Sequence, residues 1–539
     1  MISLRNIVGL WAIYTLGYYG YLAVAQEPPA KANGNQATVK PEFRALWVTR
    51  FEWPDENPDQ CKKNILRIVQ EVADANFNVM LFQVRGAAEV LYHSALEPWS
   101  ALVGTRDPGF DPLDFAIAES HRRGLQLHAY INPIPLYLWS RTKTLPPDTK
   151  PQHLFYLHGP DAKESWVCTD VKHKVMDAAR NDYFYLSPGI PQVQAYLRKV
   201  ILDVVRRYDL DGIHLDRIRY PGREYSHDPT SQERFFGRGN PNRKEWSDWQ
   251  REQLNKFVSD LYAEIMAEKP AIVLSCAAWG IYDRYRLPGY SDFSSGYHDY
   301  YQDTWEWISL GAMDLLMPMI YWNIADPKPN YDELLQDFVA GVGADRICGG
   351  QRLYGSDWKL EENIAQVEWS RRLGVMGNAI FSYQSARDKH ALARFKSTVY
   401  PGKAPVPSLT WKRDQRQAIV LGRVTDEVGE AVTDAWVSLT PEDRTNQAPV
   451  FSQTWPSSAD GRFSFLKVPP VPVVVGVEYQ GIKVRQTLQM GAGKVIAVTV
   501  PLPGIRRPTV DFYFHIFKQT RELSGREPIY WLRYESSRK

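Results

Sequence analysis

The amino-acid sequence predicts an α/β chain, a (β/α)8 TIM barrel followed by a small all-β sandwich. Three observations lead there. At 539 residues the chain exceeds the usual size of one domain. Between Glu42 and Tyr383 eight short apolar runs alternate with longer amphipathic stretches, the pattern of repeated strand-helix units. Beyond Tyr400 the apolar residues change to period-two alternation broken by Asp-Gly and Pro-rich turns, as in antiparallel strands.

Residues 1–26 read as a signal peptide or N-terminal anchor. Arg5 precedes an apolar stretch ending in Ala23-Val24-Ala25, the order of a secretory leader, and the stretch approaches the ~18 apolar residues that span a bilayer. Export is expected either way, to the periplasm, the envelope or the medium, with membrane contact only through an uncleaved leader. Residues 27–41 form a polar linker with Pro and Gly.

The barrel is expected over residues 42–402. Its strand candidates are "RALWV", "NVMLFQV", "LQLHAYI", "DGIHLD", "AIVLSCAAW", "MDLLMPMIYW", "RICGGQ" and "GNAIFSY". Helical patterns such as "CKKNILRIVQEVADA" and "SDWQREQLNKFVSDLYAEIMAEK" lie between them. The longest insertions, 133–189 and 222–244, follow the third and fourth strands. Enzymes of this architecture build their sites at the C-terminal strand ends, and polar and aromatic residues collect there in this sequence. Arg50 and Glu52 follow strand one, Arg85 and Glu89 strand two, and His128 and Asn132 lie on strand three. His214 and Asp216 come with strand four, Trp279 with five, Tyr321 and Trp322 with six, Gln351 with seven and Tyr383 with eight. Side chains two apart on a strand share a face, so His214 and Asp216 point one way and Asp211 the other. Asp211 is therefore expected to be structural.

The chemistry excluded is as informative. The formal net charge of +2 leaves no electrostatic footprint for nucleic acid. Cys61, Cys168, Cys276 and Cys348 lack zinc-ligand spacing; Cys276 and Cys348 sit in apolar runs as buried thiols, and a Cys61–Cys168 bridge is compatible with export. No acidic loop has calcium spacing, and neither a phosphate loop nor a GxSxG elbow occurs. A hydrolase without metal or cofactor is expected. The 18 Trp and 30 Tyr supply flat rings suited to sugar faces.

Six ordered blocks, "EFRALWVTR", "FNVMLFQVRGAAEVLYHSALEPWS", "GFDPLDFAIAESHRRGLQLHAYINP", "DGIHLDRIRYP", "MDLLMPMIYW" and "GNAIFSY", resemble the glycosyl hydrolase-like 10 family. The resemblance implies a (β/α)8 barrel that hydrolyses glycans, with bacterial cell-wall glycan strands, peptidoglycan, as a leading substrate class. The chain departs from the family where members often carry a second aspartate or a tyrosine, here Arg217, and where many have a proline and an aspartate, here Gly86 and Glu89.

Glycoside hydrolysis needs two carboxyl groups, one to protonate the leaving oxygen and one to attack or to activate water. Asp216 is expected as nucleophile or base, kept ionised by Arg219. Glu89 is the expected acid, with Glu52, Asp283 and Glu224 in reserve. Arg85, His128, Asn132, His214, Arg219, Trp279, Tyr321, Trp322, Gln351 and Tyr383 are expected to bind the polysaccharide. The alternative is a glycan-binding or envelope scaffolding protein on a barrel that has lost catalysis.

Residues 403–416 read as a second linker. The segment 417–502, with "GRVTDEVGEAVTDAWVSL" and "DGRFSFLKVPP", resembles the carboxypeptidase regulatory-like, immunoglobulin-type β-sandwich. Residues 503–539 form a basic, aromatic tail.

Overall fold

The computed structural model describes residues 40–139, 144–413, 416–443 and 451–505. The leader and most of the tail lie outside them. Eight parallel strands close into a barrel: β1 (Phe43–Val48), β2 (Val79–Arg85), β3 (Gln126–Ile131), β4 (Gly212–Leu215), β5 (Val273–Trp279), β6 (Leu315–Met319), β7 (Cys348–Arg352) and β8 (Gly377–Phe381). β1 closes the ring by pairing with β8, Ala45 opposite Ala379. Both faces of these strands are covered, which is why they read as continuous apolar runs. Ala45, Trp47, Leu81, Tyr130, Val273 and Met317 fill the interior, while Leu46, Met80, Leu127, Ile213 and Leu274 meet the helices outside.

The loops start their helices with local signals. Asn57 accepts from the Asp59 and Gln60 amides ahead of Pro58, and Asp111 caps its helix in the same way ahead of Pro112. One irregularity matters for function. The register of β2 against β3 skips between Gln83, opposite Tyr130, and Arg85, opposite Ile131. Such a bulge moves the following side chain to the other face, so Arg85 points out of the barrel.

The segment expected to link the domains instead lies across the N-terminal mouth of the barrel. The Glu42 amide donates to the Pro405 carbonyl at 3.0 Å, and Leu409 is buried against the barrel interior. Trp411 Nε1 and Lys412 Nζ both reach the buried Asp314 carboxylate, at 3.0 and 2.8 Å. All four cysteines are buried free thiols, so the Cys61–Cys168 bridge is not formed.

Seven further strands make the sandwich: β9 (Ala418–Asp426), β10 (Trp436–Pro441), β11 (Gln453–Pro456), β12 (Arg462–Val468), β13 (Val473–Tyr479), β14 (Ile482–Leu488) and β15 (Val495–Leu502). They form sheets of order β12-β9-β15 and β11-β10-β13-β14 around Val420, Val437, Phe463, Phe465, Val475 and Val500. β9 and β12 contact the helix Trp246–Glu268, which is buried on all sides from Trp249 to Met266 because the barrel lies on one flank and the sandwich on the other. Among the described residues no helix is long and apolar enough to cross a membrane.

Candidate active site

Asp216 follows β4 at the C-terminal mouth. Its amide donates to the Ile131 carbonyl at 3.0 Å, which fixes the residue against β3. Oδ2 accepts from the Tyr130 hydroxyl at 2.7 Å, Oδ1 accepts from the Arg217 amide at 2.6 Å, and Arg219 Nη1 stands 3.6 Å from Oδ1. Burial opposes the charge, but Arg219, Arg217, the Tyr130 hydroxyl and His214 outweigh it and hold the carboxyl below its usual 3.8. The residue is built to stay ionised.

His214 lies directly beneath it. Trp47 Nε1 donates to His214 Nε2 at 3.0 Å, and an indole N–H can only donate, so the imidazole proton sits on Nδ1 and points to Ser275 Oγ, also at 3.0 Å. Burial lowers the His214 pKa to about 4, leaving the ring neutral. The histidine supports Tyr130 and Trp47 edge-on and does not itself reach solvent.

Arg217 has φ of 52°, a left-handed conformation uncommon for a residue with a side chain. It turns the guanidinium away from Asp216 toward the insertion after β3, where Nη1 donates to the Tyr185 hydroxyl at 2.8 Å and the group covers the Tyr183 ring at 4.8 Å. Arg219 lies over Trp279 at 5.3 Å and Tyr300 at 5.8 Å, and Tyr300 walls a cleft of about 370 Å³ that also takes in Pro221, Gly222, Glu224, Arg284 and Asp299. Tyr321, on the opposite rim with Tyr354 and Phe381, feels burial first and then the Asp216 charge, which together push its hydroxyl well above 10. Trp322 is half-buried beside Gly280, and the buried Asn132 keeps Oδ1 without a partner.

Glu89 is partly buried, and its carboxylate accepts from the Ala101 amide at 3.3 Å. Burial raises its pKa above 4.5, with Arg50 and Ser100 acting in the opposite direction. Arg50 donates to the Tyr183 hydroxyl at 3.3 Å and has Nε and Nη1 without bonds. A Cβ on residue 86 would fall 1.1 Å from Arg50 Nη1, so the glycine at this position is what admits this arginine. Arg50 and Arg217 both meet Tyr183, so this ring lies between the arginine whose charge acts on Glu89 and the arginine whose amide holds Asp216. Glu52 is also raised, to about 7 by burial, but its oxygens accept from Ser382 Oγ, the Gln384 amide and the Thr49 amide, and it clasps β1 to β8. Asp283 is held by His298 Nε2 at 2.9 Å.

Of the expected sugar-binding residues, His214 is sealed beneath Asp216 with both nitrogens engaged, and four more lie elsewhere. Arg85, turned outward by the bulge, is saturated by Glu97, at 2.7 and 2.6 Å, and by the Asn132 and Pro133 carbonyls. His128 is enclosed in the barrel interior with neither nitrogen bonded, and burial lowers its pKa to about 4. Gln351 faces outward and joins Asn378 and Asn363. Tyr383 starts a helix outside the barrel and donates to Glu71 at 2.7 Å. Asp211 holds the start of β4, accepting from the Leu127 amide at 2.8 Å. Tyr130 was legible, since it shares its face with His128 and Asn132. Tyr183 and Tyr185 come from a hairpin strand 33 and 31 residues upstream of Asp216, and no local pattern marks them.

A closed (β/α)8 barrel with ionisable and aromatic groups gathered at its C-terminal mouth has the layout of a barrel enzyme, and the family match makes it a glycosidase-type barrel. Residues 42–339, more than half of the chain, match the family described as Glycosyl hydrolase-like 10, and the chain belongs to it. It is similar to the glycosyl hydrolase YngK of Bacillus subtilis, 29% identical over 397 residues that cover 69% of this chain and 74% of that protein. The glycosyl hydrolase DigH of Escherichia coli K12 is 27% identical over 330 residues, covering 57% of this chain and 71% of its own. The fold also resembles the glycoside hydrolase domain of PgaB (BpsB) from Bordetella bronchiseptica, with a TM-score of 0.50, 15% identity, and coverage of 68% of this chain and all of that domain.

Proposed function

We propose that the chain is an exported glycoside hydrolase that cleaves O-glycosyl bonds of a polysaccharide, with cell-wall glycan strands as the leading substrate. The carrying observation is the divergence of two carboxyl groups at the mouth. Asp216 is held ionised by two guanidinium groups and a phenol, while burial pushes Glu89 toward its protonated form. Opposite shifts of two carboxyls are what acid and base roles require. Asp216 attacks the anomeric carbon or takes a proton from water, and Glu89 protonates the leaving oxygen. Trp279, Tyr300 and Tyr321 supply rings beside Asp216, and the polar cleft behind Tyr300 receives the chain on one side of the scissile bond. Export rests on the leader sequence.

Purified wild type, Asp216→Asn and Glu89→Gln, incubated with peptide-free cell-wall glycan and with plain polysaccharides, test the reading by new reducing ends. Product from the wild type on the first substrate and its loss in both variants is expected. Binding without product by the wild type leaves the scaffolding alternative, which is favoured by the engagement of both Asp216 oxygens. Full activity of Asp216→Asn removes the assignment of the base.

A further inference from the structure

The sandwich lies outside the residues that match the family, yet it touches the loops behind the site. Arg234, in the helix Pro229–Phe236 of the insertion after β4, is 6% exposed and bonded on every side. Nη1 donates to the Gly189 carbonyl at 2.6 Å and to Gln253 Oε1 at 2.7 Å, while Nε and Nη2 reach the Asp434 carboxylate of the sandwich at 3.0 and 2.8 Å. Arg238 adds a second tie, donating to the Glu478 carbonyl at 2.8 Å and accepting Trp436 Nε1 on its own carbonyl at 2.7 Å.

From Gly189 the contacts run on without a gap. A Cβ at Gly189 would come 2.1 Å from Ser231 Oγ, so the turn and the helix are in close contact. Ser187 Oγ donates to Asp228 Oδ2 at 2.6 Å, and Asp228 also accepts from Ser226 and Ser231. Ser187 is two residues from Tyr185, whose hydroxyl accepts from Arg217, and the Arg217 amide holds Asp216.

We propose that the β-sandwich is a brace for the catalytic mouth: Asp434 fixes Arg234, and Arg234 fixes the turn at 187–189 that presents Tyr185 to Arg217. Arg234 and Asp434 are positioning residues in this scheme. Removing Asp434 leaves a buried guanidinium without its carboxylate, and the side chain relaxes toward water and releases Gly189. The effect on catalysis rests on the hydrolase reading; the brace itself does not.

The test is hydrogen exchange on the full chain for wild type, Asp434→Ala, the milder Asp434→Asn, and Asp460→Ala. Asp460 ties the sandwich to Arg198 at 2.7 Å, away from the turn, and so controls for general loosening. Exchange at least about tenfold faster over residues 183–189 and 217–228 is expected in Asp434→Ala, with a smaller gain in Asp434→Asn and none there in Asp460→Ala. Wild-type protection in Asp434→Ala, or equal acceleration in Asp460→Ala, overturns the brace. Where the wild type cleaves glycan, the acid limb of kcat/KM also shifts in Asp434→Ala, because the guanidinium that Tyr185 holds in place beside Asp216 is released. Of the groups facing Asp216, which are Tyr130, His214, Arg217, Arg219, Cys276 and Tyr321, only Arg217 depends on the turn. An unmoved acid limb beside fast exchange overturns the link to Asp216.

Discussion

Two clusters of buried arginines and carboxylates, one at the seam with the sandwich and one at the barrel mouth, are wired differently. At the seam with the sandwich, Arg198 meets Glu264 at 2.9 Å and Asp460 at 2.7 Å, and Asp260 accepts from Lys256, Ser458 and Ser464. No nitrogen of Arg198 and no oxygen of Asp260 is left without a bond. At the barrel mouth, Arg219 Nη1 makes only the 3.6 Å contact with Asp216, and Arg50 keeps Nε and Nη1 unbonded. A buried unbonded donor costs about 1–3 kcal/mol, so its retention needs a reason. Buried charge alone does not mark a site; buried charge with open bonding capacity, at a mouth that substrate can enter, does.

The largest expected effect separates the clusters directly. Asp216→Asn is expected to lower kcat about 10³-fold on glycan while the thermal midpoint holds, because the loss is of a proton-transfer or attacking group. Kinetics and a melting curve on the same preparation check it. Arg198→Ala should do the reverse. It takes the guanidinium from three carboxylates, leaving Glu264 without its shortest ion pair, and costs about 3 kcal/mol of stability, read by urea unfolding, while activity per folded molecule stays near wild type.

A smaller effect tests Glu52. Its folded pKa of about 7 lies above the ordinary 4.5, so its contribution to stability is complete below about pH 4.5 and is lost as pH rises through 7. The wild-type melting temperature should therefore fall between about pH 5 and pH 8, and Glu52→Gln should flatten that slope by a few degrees. Melting curves at the two pH values decide it. The smallest effect belongs to His128. Its two nitrogens have no partners to lose, so His128→Leu should shift stability by less than about 1 kcal/mol and leave kcat/KM within about twofold of wild type. A fall in kcat/KM would return His128 to the substrate-binding group.

Much of the mouth was readable from strand parity. Period two gave Asp216 and His214 one face and Asp211 the other, and Asp211 indeed bonds the start of β3. Parity failed at Arg85 because a bulge adds a residue that no composition signals. It failed at Gln351 and Tyr383 because a polar residue near a strand end is placed equally well against a covering helix, as Asn363 and Glu71 show. The acid was the weakest inference, since a raised carboxyl depends on burial by segments distant in sequence.

By itself the sequence determined the barrel, the sandwich and the strand-four carboxylate, because hydrophobic periodicity and turn chemistry are local properties of the chain. Tertiary structure alone decided three things: that Arg217 serves Tyr185 and lends Asp216 its amide, that Glu89 is raised, and that Asp434 reaches Arg234 across 200 residues. Each depends on distances between segments that only packing sets, and charge, burial and hydrogen bonding act through those distances.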